Sequence, residues 1–322
     1  MRYILTSELF TDEENYQKIF FFMSLVAQKN FQIVFIEDED KFENFKKHFS
    51  KIVLNTLLQK IQKDLKLFMS RKSNIFRIGL KKNDGFITID EAINLVNKPF
   101  LVCMENNRND KNFLNFFCDE GERNLLQELE STSELEYWSG GGTGELKAKV
   151  KGDDFCKITS YVFFDSDQLP FDPTTIERTS KDIKEICINK NIRYSILKRR
   201  FIESYVPKKS LHNYVLKNRK KSVLIYNALF QEFINLSCEE TKHFFNMKYG
   251  LNADVKRVGG REELINRYFH KIPENKISFF DQGFGDKLSS IFEDQISLSE
   301  KMKDRDGWNE INGIVKNILM VI

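Results

Sequence analysis

The chain has 322 residues, enough to bury a large core and to form two domains, and its 41% apolar and 30% charged composition is ordinary for a soluble globular protein. Fifty Lys and Arg against 47 Asp and Glu leave a net charge of +3, which excludes a globally basic nucleic-acid binder; any such partner needs a local basic patch. Five cysteines (Cys103, Cys118, Cys156, Cys187 and Cys238) form no CxxC pair and stand at no metal-ligand spacing from a His. That argues against a disulfide scaffold or a zinc site and for reduced thiols in a cytoplasmic protein.

Met1–Thr6 carries no signal-peptide pattern, and the longest apolar runs, such as Ile19–Met23, are too short to span a bilayer, so no membrane is expected. Residues 1–97 read as a small α/β unit. Tyr3–Leu5 is a strand, Asp12–Lys29 a helix, and Phe31–Ile36 a second strand. The acidic run Glu37–Asp40 reads as a solvated loop and helix start. From Lys41 to Met69, apolar residues recur every three or four positions (Phe45, Phe49, Ile52, Val53, Leu57, Ile61, Leu65, Phe68), which predicts one amphipathic helix or two.

A second organisation spans 98–208. Pro99–Met104 is a buried-strand pattern ending at Glu105, and Asn112–Leu129 is helical. Glu136–Trp138 is a short strand, followed by a turn with Gly at 140, 141, 142 and 144 and a helix over Leu146–Lys151. Ser160–Phe164 is a strand, Thr179–Asn189 a helix and Tyr194–Leu197 a further strand. Strands alternating with helices predict a mainly parallel sheet with helices on both faces. Residues 209–322 turn mostly helical (Val215–Asn235, Cys238–Lys248, Asp286–Phe292, Trp308–Val321) and read as an extension with few catalytic residue types.

The chemistry concentrates at the strand ends. Tyr161–Phe164 runs into Asp165-Ser166-Asp167, and residues two apart on a strand share a face. Two adjacent carboxylates repel unless a cation lies between them, and a hard divalent ion such as Mg²⁺ is the usual solution. The C-terminal ends of parallel strands lie along one edge, so Glu105, Asp110, Asp165, Asp167 and Glu203 could share one cleft. Asp110 also fits a helix cap, Glu203 also fits a partner for Arg199 or Arg200, and those arginines also fit ordinary surface charge.

A Glu after a first strand, a glycine-rich turn, an Asp-x-Asp after a later strand and the segment Arg199–Pro207 together resemble the Toprim fold. The likeness is to Toprim-like nucleases of the overcoming-lysogenization-defect type found in anti-phage defence, and Asp281-Gln282-Gly283-Phe284-Gly285-Asp286 is similar to a segment of that group. It covers roughly residues 98–290. Asn106 stands where many of those proteins have Gly.

The resemblance implies a Mg²⁺- or Mn²⁺-dependent nuclease acting on DNA or RNA. Glu105 would be general base or acid. Asp165 and Asp167 would hold the metal, Asp110 and Glu203 would complete a second metal position, and Gly140, Gly141, Gly142, Lys198, Arg199 and Arg200 would meet the phosphate. It also implies a separate ATPase or sensor partner, since no G-x-x-x-x-G-K-[ST] loop occurs in the chain, and allows a homo-oligomer. The alternative it implies is a subunit active only in a complex, or one that only binds nucleic acid.

Overall fold

The computed structural model describes residues 1–29, 32–62, 75–82, 86–152, 155–169, 176–218, 223–258, 260–270 and 272–322. The chain is α/β, with two four-stranded parallel sheets. It divides into two compact units. One comprises Met1–Leu101, Asn124–Glu136 and Lys316–Ile322, and the other Val102–Arg123 and Tyr137–Val315.

In the first unit β1 (Arg2–Leu5) lies between β2 (Ile33–Ile36) and β3 (Ile75–Gly79), and β4 (Phe86–Thr88) adds to β3. All three pairings are parallel, with Tyr3 opposite Val34 on one side and Phe76 on the other. Helix α1 (Tyr16–Val26) buries Ile19, Phe22 and Met23. The amphipathic stretch after Asp38 forms two helices, α2 (Glu39–Lys46) and α3 (Lys51–Gln62). Asp38 caps α2 by accepting from Lys41 N–H at 3.0 Å, which explains the acidic run before it. Expected helical residues beyond Gln62 lie outside the described residues. Helix α4 (Ile89–Val96) starts from a capping box between Thr88 and Glu91.

The second sheet has the order β6-β5-β7-β8, with β5 at Phe100–Met104, β6 at Leu135–Ser139, β7 at Ser160–Phe164 and β8 at Arg193–Ile196. Every residue of β7 is buried, the signature of a strand covered on both faces. The helical stretch expected over Asn112–Leu129 is two helices, α5 (Asn107–Phe116) and α6 (Glu120–Ser131). The break is chemical. Asp119 accepts from Glu122 N–H at 2.8 Å while Glu122 accepts from Asp119 N–H at 2.9 Å, a reciprocal cap that starts a new helix. Helices α7 (Thr143–Lys151) and α8 (Arg178–Lys190) pack on each other.

After β8 come α9 (Lys208–Lys217), α10 (Val223–Ile234), α11 (Glu239–Phe244), α12 (Leu251–Val258), α13 (Arg261–Tyr268), α14 (Glu274–Ile277), α15 (Leu298–Lys301) and α16 (Arg305–Val321). The helix expected over Cys238–Lys248 stops at Phe244, and Asp286–Phe292 is a 3₁₀ segment, Leu288–Glu293. Phe230, Phe245, Phe280 and Phe284 form a core for this region, with Phe245 and Phe280 edge-on at 5.5 Å.

Candidate active site

In the order β6-β5-β7-β8 the chain leaves β5 toward β6 on one side and returns to β7 on the other. Open α/β sheets leave a crevice outside the strand ends at such a reversal. Glu105 follows β5 and Asp165 follows β7, and the two meet there: Glu105 Oε1 accepts from Asp165 N–H at 3.1 Å.

Asp110 lies in the first turn of α5, buried among its inward residues. It is not the helix cap. Asn106 is, accepting from Asn109 N–H at 3.1 Å, and Asp110 Oδ2 in turn accepts from Asn106 N–H at 2.8 Å. Asn106 has an extended backbone, φ −133°, so this position demands no glycine.

Asp165 and Asp167 do join one cluster, but not by strand alternation. The strand ends at Phe164, Ser166 turns inward to donate to Arg199 O at 3.0 Å, and Asp167 adopts φ +50° with its N–H on Arg200 O at 3.1 Å. A left-handed aspartate is an uncommon conformation that surrounding contacts must impose. Glu203 sits on the 3₁₀ turn Ile202–Tyr205 with its side chain almost wholly buried.

The carboxyls perturb one another. Burial first, then Asp110 and Asp167, push Glu105 up to about 8. Burial, reinforced by Glu203, pushes Asp110 up to about 7 against the opposing Asn106 N–H. Asp165 rises well above the carboxylate range through burial and then Glu105, Asp110, Glu203 and Asp167. Asp167 is raised by burial despite Arg257, 3.8 Å away, and Arg200. Each effect has the sign expected of buried like charges.

Lys248, which no sequence motif marks, is a cation of this cluster. Its Nζ stands 2.8 Å from Glu203 Oε1, and although burial disfavours its charge, Glu203 and Asp165 hold its pKa above the ordinary lysine value. Glu203 Oε2 is buried with no hydrogen-bond partner among the described residues. Lys248 is placed by the Asp281–Asp286 segment. Phe284 N–H donates to Met247 O at 2.6 Å and Gly285 N–H to Lys248 O at 2.9 Å. A Cβ on Gly283 would stand 2.3 Å from the Lys248 carbonyl carbon, so only glycine permits that approach.

Two expected phosphate contacts fall elsewhere. Arg200 is fully buried in a bidentate pair with Asp254, NH1 to Oδ2 at 2.7 Å and NH2 to Oδ1 at 2.6 Å. Arg199 donates to Asp304 Oδ1 at 2.7 Å and to Ser204 O at 2.9 Å, with its guanidinium over the Tyr205 ring at 4.5 Å. Both are structural ion pairs, neither surface charge nor free phosphate ligands, and neither is the partner of Glu203. Lys198 is exposed, and its N–H donates to Glu310 Oε1 at 2.8 Å.

The glycine turn leads into α7. Gly141 (φ +92°) and Gly142 (φ +149°) adopt conformations that favour glycine, and Gly142 stands at the α7 N-cap with no side-chain cap. Ser139 ties the turn to the acids, its hydroxyl donating to Glu105 O at 2.9 Å.

The chain matches no family model, no curated protein and no solved structure. The site therefore rests on its own geometry. Among the described residues no three His, Cys, Asp or Glu side chains converge as a ready-made metal cage. The acids stand within electrostatic reach of one another without meeting at a point.

Proposed function

We propose that the chain is a Mg²⁺- or Mn²⁺-dependent nuclease with a Toprim-like second sheet, and that Glu105, Asp110, Asp165, Asp167 and Glu203 form its metal site. The observation that carries this reading is the burial of these carboxyls beside one another at the β5/β7 crevice, with Glu105 Oε1 on Asp165 N–H at 3.1 Å and Glu203 on Lys248 at 2.8 Å; burial and mutual repulsion raise Glu105, Asp110 and Asp165 accordingly. Such a group favours protonation or a further cation, beyond the positive charge that Lys248 and Arg257 supply. The donors are all carboxylate oxygens, the chemistry preferred by hard divalent ions, and the orphaned Glu203 Oε2 is one unfilled acceptor.

A divalent ion bound there would supply charge neutralisation at a phosphodiester oxygen. The chain's own residues divide the remaining work. Glu105, beside Asp165 N–H at the crevice, is the carboxyl assigned to hold or release a proton as general acid or base; burial and its acidic neighbours raise it in the metal-free chain, and a bound divalent ion would lower it again. Lys248 offsets Glu203 and keeps the cluster from being purely anionic. The Gly140–Gly142 turn exposes the first amides of α7, which favour an anion.

Purified protein is expected to cleave plasmid DNA or structured RNA with Mg²⁺ or Mn²⁺, and Asp165→Ala and Glu105→Ala are expected to lose that activity. Equal cleavage by the wild type and both variants would refute the assignment. The same resemblance supports a role as the nuclease of an anti-phage system working with a separate ATPase or sensor. Native mass spectrometry of the complex from its own host tests this, and a lone active monomer would argue against the partner.

A further inference from the structure

The second unit contains a cavity of about 870 Å³ bounded by the start of α9 and by α10, α11 and the segment after α15. That volume suits a small ligand. None of the five acids of the candidate active site lines it.

Its floor is apolar: Val206, Leu211, Phe230, Phe233 and Met247 line it and are largely buried, and the His212 ring lies 5.3 Å from that of Phe230 at a 30° tilt. Aromatic faces and a thioether of this kind accept a planar ring by stacking.

Its charge is lopsided. Five permanent cations line it against three carboxylates, and each carboxylate is already engaged: Asp304 by Arg199, Glu300 by Lys303 at 2.9 Å and Glu239 by Lys242 at 2.8 Å. The surplus is Lys208 and Lys209, the latter only 3.8 Å from Glu300. Both sit in the first turn of the ten-residue α9, whose N-cap is Pro207 with no side-chain cap. The free amides of that turn and its dipole favour an anion at the same place.

A third group lines the same cavity. Ser204 lines the cavity, is 8% exposed, and its hydroxyl has no hydrogen-bond partner among the described residues. A buried hydroxyl left unpaired is unfavourable, and a ligand oxygen would relieve it.

We propose that this cavity binds a free nucleoside phosphate. The phosphate would meet the α9 N-terminus with Lys208 and Lys209, the sugar hydroxyls would meet Ser204, and the base would lie over the Phe230, Phe233 and Met247 floor. The site stands whether or not the acid cluster cleaves nucleic acid, because it shares no side chain with that cluster.

Isothermal titration of the full chain in EDTA tests it, with ATP, GTP, CTP and UTP as probes and adenosine and inorganic phosphate in parallel. EDTA removes any metal-dependent capture at the acids. At least one triphosphate is expected to bind saturably at one site, at least tenfold tighter than adenosine or phosphate. The exposed double variant Lys208→Glu/Lys209→Glu is expected to weaken that binding at least tenfold with an unchanged melting temperature, and Asp165→Asn is expected to leave it unaltered. Three results would each overturn the proposal: no saturable binding by any triphosphate, phosphate binding as tightly as the best of them, or loss of binding in Asp165→Asn with none in the lysine variant.

Discussion

Arg200 and Asp254 bury a cation and an anion together, joined by two hydrogen bonds, whereas the five carboxylates at the β5/β7 crevice have fewer cations than acids among the described residues: Lys248, Arg257 and, acting on Asp167, Arg200 itself. The residue types are the same and the two places are linked, since Asp167 N–H bonds Arg200 O. The difference lies in whether the chain supplies its own counter-charge. Arg200 and Asp254 complete each other and serve the fold. The acids do not, and that deficit of positive charge is the basis for proposing an external cation there.

The largest expected effect separates these two roles. Arg200→Ala leaves Asp254 buried and unpaired and is expected to cost about 3–5 kcal/mol of stability in urea unfolding. A loss below about 1 kcal/mol would mean that the pair does not carry the fold. Next is Gly283→Ala, whose Cβ would collide with the Lys248 backbone at 2.3 Å. It is expected to cost about 1–3 kcal/mol in the same assay and, by displacing Lys248, to lower the proposed nuclease activity.

On the acid side the sign reverses. Asp165→Asn removes a buried carboxyl whose ionisation burial and its acidic neighbours oppose, and is expected to raise metal-free stability at pH 8 by about 1 kcal/mol while abolishing the proposed cleavage. A variant that is both less stable and inactive would make Asp165 a structural residue like Asp254.

The smallest effect is a pH dependence. Glu105 and Asp110 titrate near 8 and 7 in the folded chain, against ordinary values of 4.5 and 3.8. The native state therefore holds more protons than the unfolded state throughout that window, and stability falls as pH rises through it. Mg²⁺ acts only on the ionised acids, so millimolar Mg²⁺ is expected to raise the melting temperature more at about pH 8 than at about pH 5. Asp304 behaves oppositely. Burial raises its pKa, but Arg199 outweighs that and holds it below the carboxylate range, so its contribution is lost only as pH falls through its folded value.

Much of the site was legible because strand ends are. Buried runs such as Pro99–Met104 and Ser160–Phe164 announce where a strand stops, and Glu105 and Asp165 follow directly. The convergence of Asp167 was foreseen for the wrong reason, because strand periodicity says nothing about the left-handed residue that actually aims it. Lys248 and Arg257 were invisible to periodicity. They lie beyond Glu203 in a helical region, and only the fold brings them back to the acids. A faint signal existed in the glycines of Asp281–Asp286, which mark a close backbone approach without naming its partner. The fates of Arg199 and Arg200 could not be read either, since Asp304 and Asp254 are distant in sequence and carry no motif. Strands β3 and β4 escaped because short, half-exposed segments have weak apolar patterns.

The most direct test is anomalous diffraction from crystals soaked in Mn²⁺ at about pH 8. A peak between Glu105 and Asp165, within about 2.0–2.6 Å of their carboxylate oxygens, is the predicted result. A crevice without Mn²⁺ under those conditions, with Lys248 alone balancing the acids, would contradict the account.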